Sequence, residues 1–348
     1  MKELLIRLLE PLYHALTRYM ARAGLIQFAY GFAGHIGIAK ETNWGSGVAV
    51  SSGDYIEGFS EDLSLTIERF SHKAIIASLS EPDDSTGLYR VEGSMRFGAN
   101  PGQNLHNILR AALHSYDTTS ATGPLYQYDF VTTSGGADFS TDVPIQPYTL
   151  EIFRDVTSSN IYTGCLLNAL TFTFNPSGPV MCDATWIGRN AEVGSKSSPT
   201  ITTTPAKPFN FATVSLSVGG AGTALIEELV VTVNNNLEGL GALNLSNRIA
   251  KVRRNNHQMV EISGTLDFAN LTEYGNFVDQ TEQRMTVSAT APASFGMVID
   301  IPRVVYTAFP LGIPGRERIT VGFTGKGFVH QGSGNAIKIS LFTTQSMK

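Results

Sequence analysis

The chain has 348 residues, of which 16% are charged, with 25 Lys and Arg against 30 Asp and Glu for a net charge of −5. That length suits two or three domains, and the acidic balance is the opposite of the basic surplus that marks nucleic-acid-binding proteins. Ser, Thr, Gly and Asn replace the missing charges, a composition of strands and turns that also suits a surface covered by further copies of the same chain.

Residues 1–30 stand apart. Leu5, Leu8, Leu9, Leu12, Leu16, Tyr19 and Met20 recur at helical spacing, and Pro11 fits a helix start, so a helix from Pro11 to Ala23 closed by Gly24 is predicted. Glu3, Arg7 and Glu10 break the apolar run that a signal peptide or a membrane span needs. The segment reads as an N-terminal helical arm that docks its apolar face on this protein or a neighbour.

A Gly-rich opening, Gly37-Ile38-Ala39-Lys40-Glu41-Thr42-Asn43-Trp44-Gly45, leads into a first β-domain over residues 31–190. Its predicted strands are Leu63–Arg69, Leu88–Phe97, Tyr148–Arg154, Leu166–Phe174 and Met181–Ile187. One short helix is predicted from Asn104 to His114, with Leu105, Ile108, Leu109, Ala112 and Leu113 on its buried face. The polar stretch Tyr116 to Pro147 reads as an insertion. A Ser, Thr and Pro linker over residues 191–208 precedes a second β-domain over residues 209–348. There the predicted strands are Leu229–Asn235, Met259–Phe268, Arg284–Thr290, Val304–Phe309 and Ile319–Gly325, with a short helix near Glu273–Val278 and a final strand, Ala336–Phe342, that looks extra.

The two halves repeat. Val91-Glu92-Gly93-Ser94-Met95-Arg96-Phe97 returns as Ile262-Ser263-Gly264-Thr265-Leu266-Asp267-Phe268, since 268 − 97 = 171. Residues 61–68 return at an offset of 166, residues 170–174 at 134 and residues 186–188 at 137. The fall in offset calls for about 35 extra residues in the first half, which the insertion supplies. A single long period is the mark of a duplicated domain, not of a solenoid. The fold class is therefore mainly β: two tandem sandwich or barrel domains, each with a short flanking helix.

The search for chemistry returns little. No nucleophile elbow, phosphate loop, dinucleotide fingerprint or metal-ligand spacing occurs, so no enzyme, cofactor or metal is expected. Glu61-Asp62 and Glu227-Glu228 are paired carboxylates, but each pair precedes a strand and recurs in both halves, which favours a structural role over acid–base work. The basic run Lys251-Val252-Arg253-Arg254 lacks interleaved aromatics and reads as a solvated or salt-bridging loop. Cys165 and Cys182 flank a turn out of register with one another, so no disulfide is expected.

The Gly37–Gly45 stretch, Ser60–Glu68, Thr163–Leu166, Trp186-Ile187-Gly188 and Phe209-Asn210-Phe211 together resemble the tail tube proteins of long-tailed bacteriophages. The resemblance covers residues 37–344 and leaves the N-terminal arm outside it. It implies a β-sandwich with a flanking helix, rings whose strands form a continuous inner barrel, and a stacked tube that passes the genome. Six single domains per ring imply three two-domain chains, a homotrimer. The implied partners are further copies of the chain, tape measure and tail terminator or tip proteins, and DNA in transit, with no membrane. The implied place is the virion tail, assembled in the host cytoplasm.

Strand alternation then gives the wall of such a barrel. The polar set, which includes Glu68, Glu92, Arg96, Glu261 and Asp267, faces the lumen, and its acids outnumber Arg96. A net-negative wall repels phosphates, so DNA slides without sticking. The rival readings are a β-rich surface or receptor-binding protein, which exposed aromatic clusters would favour, and a hydrolase built on paired carboxylates in a cleft.

Overall fold

The computed structural model describes residues 29–347 apart from 52–53, 74, 76–78, 81–82, 121–124, 133–142, 200–206, 223–225, 314 and 317. The predicted N-terminal helix therefore lies outside the described residues. The first half runs β1 (His35–Lys40), β2 (Tyr55–Ile56), β3 (Gly58–Glu61), β4 (Ser64–Ser71), β5 (Asp84–Gly98), α1 (Leu105–Leu113), β6 (Ser115–Ser120), β7 (Tyr126–Val131), β8 (Tyr148–Phe153), β9 (Ser159–Phe174), β10 (Met181–Gly188) and β11 (Asn190–Gly194). The second runs β12 (Val214–Val218), β13 (Ala221–Gly222), β14 (Ile226–Asn234), β15 (Leu237–Leu240), β16 (Lys251–Arg254), β17 (Met259–Asp267), α2 (Thr272–Val278), β18 (Gln283–Thr290), β19 (Gly296–Ala308), β20 (Thr320–Gly327) and β21 (Lys338–Thr343). The protein is mainly β and antiparallel, as the alternating pattern requires.

The pairings repeat as well as the elements. In the first half β1 pairs with β2 and β8, β8 and β11 with the start of β9, β10 with its remainder, and β5 with β4 and β10. In the second half β12 pairs with β13 and β18, β18 and β21 with the start of β19, β20 with its end, and β17 with β14 and β20. The strand that looked extra in the sequence is thus the counterpart of β11. Strand β11 itself occupies residues that read mostly as linker, and β1 forms at the Gly-rich opening, for which the sequence predicts no strand.

Long strands β9 and β19 each pair with one set of strands at the start and another farther along. An irregularity lies at Tyr148–Leu150 opposite β9 and at Gln283–Met285 opposite β19. Tyr148 faces Cys165 and Gln283 faces Val304, an offset of 304 − 165 = 139. This corrects the sequence offset of 134 for this strand. Val304, Tyr306 and Ala308 match the apolar positions of β9 as well as Phe309, Leu311 and Ile313 do, so hydrophobic runs alone leave the frame open, and the bulges fix it.

The insertion also holds structure that its polar composition hid. Strands β6 and β7 form a hairpin, and β7 adds to β21 of the other half, from Tyr126↔Thr343 to Val131↔Lys338. Hairpin β15–β16, from the second half, folds back on the first, where Leu237, Ile249 and Val252 pack with Val143, Ile145 and Leu166. The described parts of both long loops are therefore engaged within their own chain.

One core spans both halves. Helix α1 is buried through Leu105, Ile108, Leu109, Ala112 and Leu113, as its periodicity predicts. Helix α2 is shallower and packs Tyr274 and Phe277 against Phe309.

Candidate functional site

Strand β9 joins the halves, because its free edge takes β14 over six residue pairs from Ala169↔Asn234 to Phe174↔Leu229. The sheet β4–β5–β10–β9–β14–β17–β20 therefore runs without a break from one half into the other. One face of it is apolar and buried: Val91 and Met95 on β5, Ala184 and Trp186 on β10, Phe172 on β9, Val231 on β14, Ile262 on β17 and Phe323 on β20. Strand alternation sends the intervening residues to the other face.

That second face is polar across both halves. Arg96, Asp183, Thr171, Thr232, Glu261 and Lys326 are successive register partners on six neighbouring strands. Arg96 Nε lies 3.8 Å from Asp183 Oδ1, and the Thr171 and Thr232 hydroxyls are 3.0 Å apart across the seam. Glu92 stands opposite Ser64, and Asp267 opposite Thr320 with Arg318 at 3.9 Å. Glu68 lies at the register shift of β4 with Arg90 Nε at 3.2 Å. The structure thus brings Glu68, Glu92, Arg96, Glu261 and Asp267 onto one face of one sheet.

Sequence reasoning missed other members of the face. Asp183 and Glu228 add acid, while Arg90 and Lys326 add base. These rows hold six carboxylates (Glu68, Glu92, Asp183, Glu228, Glu261 and Asp267) against Arg90, Arg96 and Lys326, a balance of 3 − 6 = −3. The available signal was the alternation of β10 and β20. Asp183 lies between Cys182 and Ala184, and Lys326 ends an alternating strand.

The repeated motif has a steric basis. Gly93 faces Trp186, and Gly264 faces Phe323. A Cβ on Gly93 would stand 2.6 Å from Leu63 Cα, and one on Gly264 would stand 2.4 Å from the Glu228 carbonyl oxygen. Neighbouring backbone, just before β4 in one case and on β14 in the other, passes too close for any side chain.

The Gly37–Gly45 stretch lies away from the polar face and builds a corner. Glu41 is buried, and its carboxylate accepts hydrogen bonds from Gly45 N at 2.7 Å, Thr149 Oγ1 at 2.8 Å and Gly164 N at 2.8 Å. Burial pushes its pKa up, and these three donors oppose that shift. The Trp44 indole donates to Gly164 O at 3.0 Å and lies under the Arg189 guanidinium.

The paired carboxylates are engaged by arginines. Arg154 donates twice to Glu61, at 2.7 Å each, and Arg318 Nη2 donates to Glu227 at 2.9 Å. Arg254 of the basic run donates to Asn235 O at 3.2 Å. Both cysteines are free and buried, and burial drives their thiol pKa values up.

A two-faced sheet continuous across both halves is a wall with one polar side. The profile of the phage tail tube protein family matches residues 31–327, which takes in every strand from β1 to β20. The chain belongs to the phage tail tube protein family. No curated protein matches it. A tail tube protein is a structural component of the virion tail and assembles with copies of itself into a tube. Among the described residues, no helix of this tail tube protein is long and apolar enough to cross a membrane.

Proposed function

We propose that three chains close a ring with true three-fold and pseudo-six-fold symmetry, and that the polar face lines its channel. The domains are then the arm 1–30, the first tube domain 31–190, the linker 191–208 and the second tube domain 209–348. The seam between β9 and β14 carries this reading. Two equivalent halves already share one sheet and one polar face, so each chain fills two of six equivalent positions. Closing a sheet into a barrel removes its edges, and closed rings are the usual outcome of head-to-tail contacts.

The channel conducts DNA during ejection. An excess of carboxylates over cations on the polar face disfavours phosphate binding, so the duplex passes without being held. Rings stack in the host cytoplasm around a tape measure protein and end on terminator and tip proteins. The protein does its work by shape and charge, without catalysis or a cofactor.

Mass measurement of the isolated ring, with electron microscopy of the tubes, tests the stoichiometry. Three chains of 37.5 kDa give 3 × 37.5 = 112.5 kDa per ring. A ring of six chains would overturn the trimer.

A further inference from the structure

Resting on the ring reading above, we propose the specific joint between chains: the free edge of β4 pairs antiparallel with residues 305–313 of a second copy, repeating between chains the β14–β9 seam inside each one.

Strands β4 and β14 are equivalents, since each forms the hairpin partner of the motif strand. At the offset of 166, Leu65 corresponds to Val231 and Ile67 to Val233. Edge strand β14 is covered by β9, and Val231 and Val233 are fully buried, at 0% exposure. Among the described residues β4 pairs with β5 alone, and Leu65 and Ile67 are 37% and 40% exposed. The same apolar positions are covered in one half and open in the other.

The other side of the joint shows the same contrast. At the offset of 139 fixed by the bulges, Leu170, Phe172 and Phe174 of β9 correspond to Phe309, Leu311 and Ile313. The apolar alternation is kept, yet β19 ends at Ala308. Phe172 and Phe174 are 0% and 5% exposed, whereas Leu311 and Ile313 are 42% and 81% exposed. Past Val304, β19 pairs only with β20 among the described residues, and its opposite edge has no partner strand there. Pro310 gives this segment no ladder donor and Gly312 gives it no side chain, which accounts for β19 ending at Ala308 within the single chain.

A cleft of about 540 Å³ opens beside the β4 edge, with Leu63, Leu65, Ala191 and Val193 among its lining residues. The rest of its lining is polar and includes Glu61, Asp62, Arg154 and Glu192.

The internal seam also gives the register. Leu170↔Val233, Phe172↔Val231 and Phe174↔Leu229 become Phe309↔Ile67, Leu311↔Leu65 and Ile313↔Leu63 between chains. Paired antiparallel residues have Cα separations that a disulfide spans.

The test is Leu65→Cys with Leu311→Cys in the full chain, oxidised after assembly. The expected result is a covalent ladder up to the closed ring, absent from either single variant. Tubes that form normally without an interchain crosslink would overturn the joint and leave the tube reading standing. If the unsubstituted chain forms no ring at all, the tube reading itself fails. As a second arm, Leu65→Asp and Leu311→Asp alter residues exposed in the single chain. Each is expected to keep the wild-type melting curve and circular dichroism while losing rings. Rings formed at the wild-type yield by both variants would also overturn the joint.

Discussion

Thr171 of the first half and Thr232 of the second face each other across the seam with their hydroxyl oxygens 3.0 Å apart. Their rung continues to Asp183 and Arg96 on one side and to Glu261 and Lys326 on the other. Two segments with no local reason to meet are thus held in one register, and the hydroxyl pair sits where the halves join.

Thr171→Val should cost about 1 kcal/mol by stranding the partner hydroxyl. Thr171→Val with Thr232→Val should cost less than the sum of the single changes, because both partners leave together. Urea unfolding of the four proteins measures the coupling, and strict additivity would deny the pair any energetic role.

Gly93 and Gly264 should resist every substitution. At Gly264 even Ala brings a Cβ to within 2.4 Å of backbone, and at Gly93 a φ of +154° adds strain. Each change to Ala should cost about 1–3 kcal/mol, the range for overpacking. Gly275 on α2, where a Cβ meets nothing within 4 Å, is the control. Gly275→Ala should be neutral or stabilising in the same denaturant series.

His114 should make stability fall in acid. Its Nε2 lies 3.2 Å from Asn235 Oδ1, and burial followed by Arg254 lowers its pKa from 6.5 to about 3. Between those values the unfolded chain binds a proton that the folded chain refuses. Stability from this group is therefore full above pH 6.5 and declines toward pH 3, by up to about 1.4 kcal/mol per pH unit. His114→Gln should flatten that slope in unfolding curves taken from pH 4 to 7, and an unchanged slope would assign the acid sensitivity elsewhere.

Glu92, Glu261 and Asp267 test the proposed channel. Changing all three to Lys should leave assembly largely intact, since among the described residues only Asp267 makes an ion pair and that pair is half-exposed. DNA ejection should slow, and slow most at low salt where screening is weakest. Ejection at the normal rate in low salt would remove these residues from the channel wall.

The sequence by itself determined the mainly β class, the long alternating strands and the buried helix. Alternation in Val91–Phe97 and Ile262–Phe268 marked the motif strands, and helical spacing over Leu105–Leu113 marked the buried helix. These signals are local, set by which side chains must face the core. The same alternation put Glu68, Glu92, Arg96, Glu261 and Asp267 on the polar side of their strands. Only the tertiary structure decided which strand lies beside which. Composition hid the β6–β7 hairpin, whose partner β21 lies some two hundred positions away in the chain. Apolar periodicity could not choose between offsets of 134 and 139, because Leu170, Phe172 and Phe174 meet apolar residues at either one: Val304, Tyr306 and Ala308, or Phe309, Leu311 and Ile313. The β9–β14 seam was invisible for a different reason: ladder hydrogen bonds are made by backbone, which carries little sequence signal. The identities of Val231 and Leu65 say that both prefer burial, but only the fold shows that one is covered and the other is open.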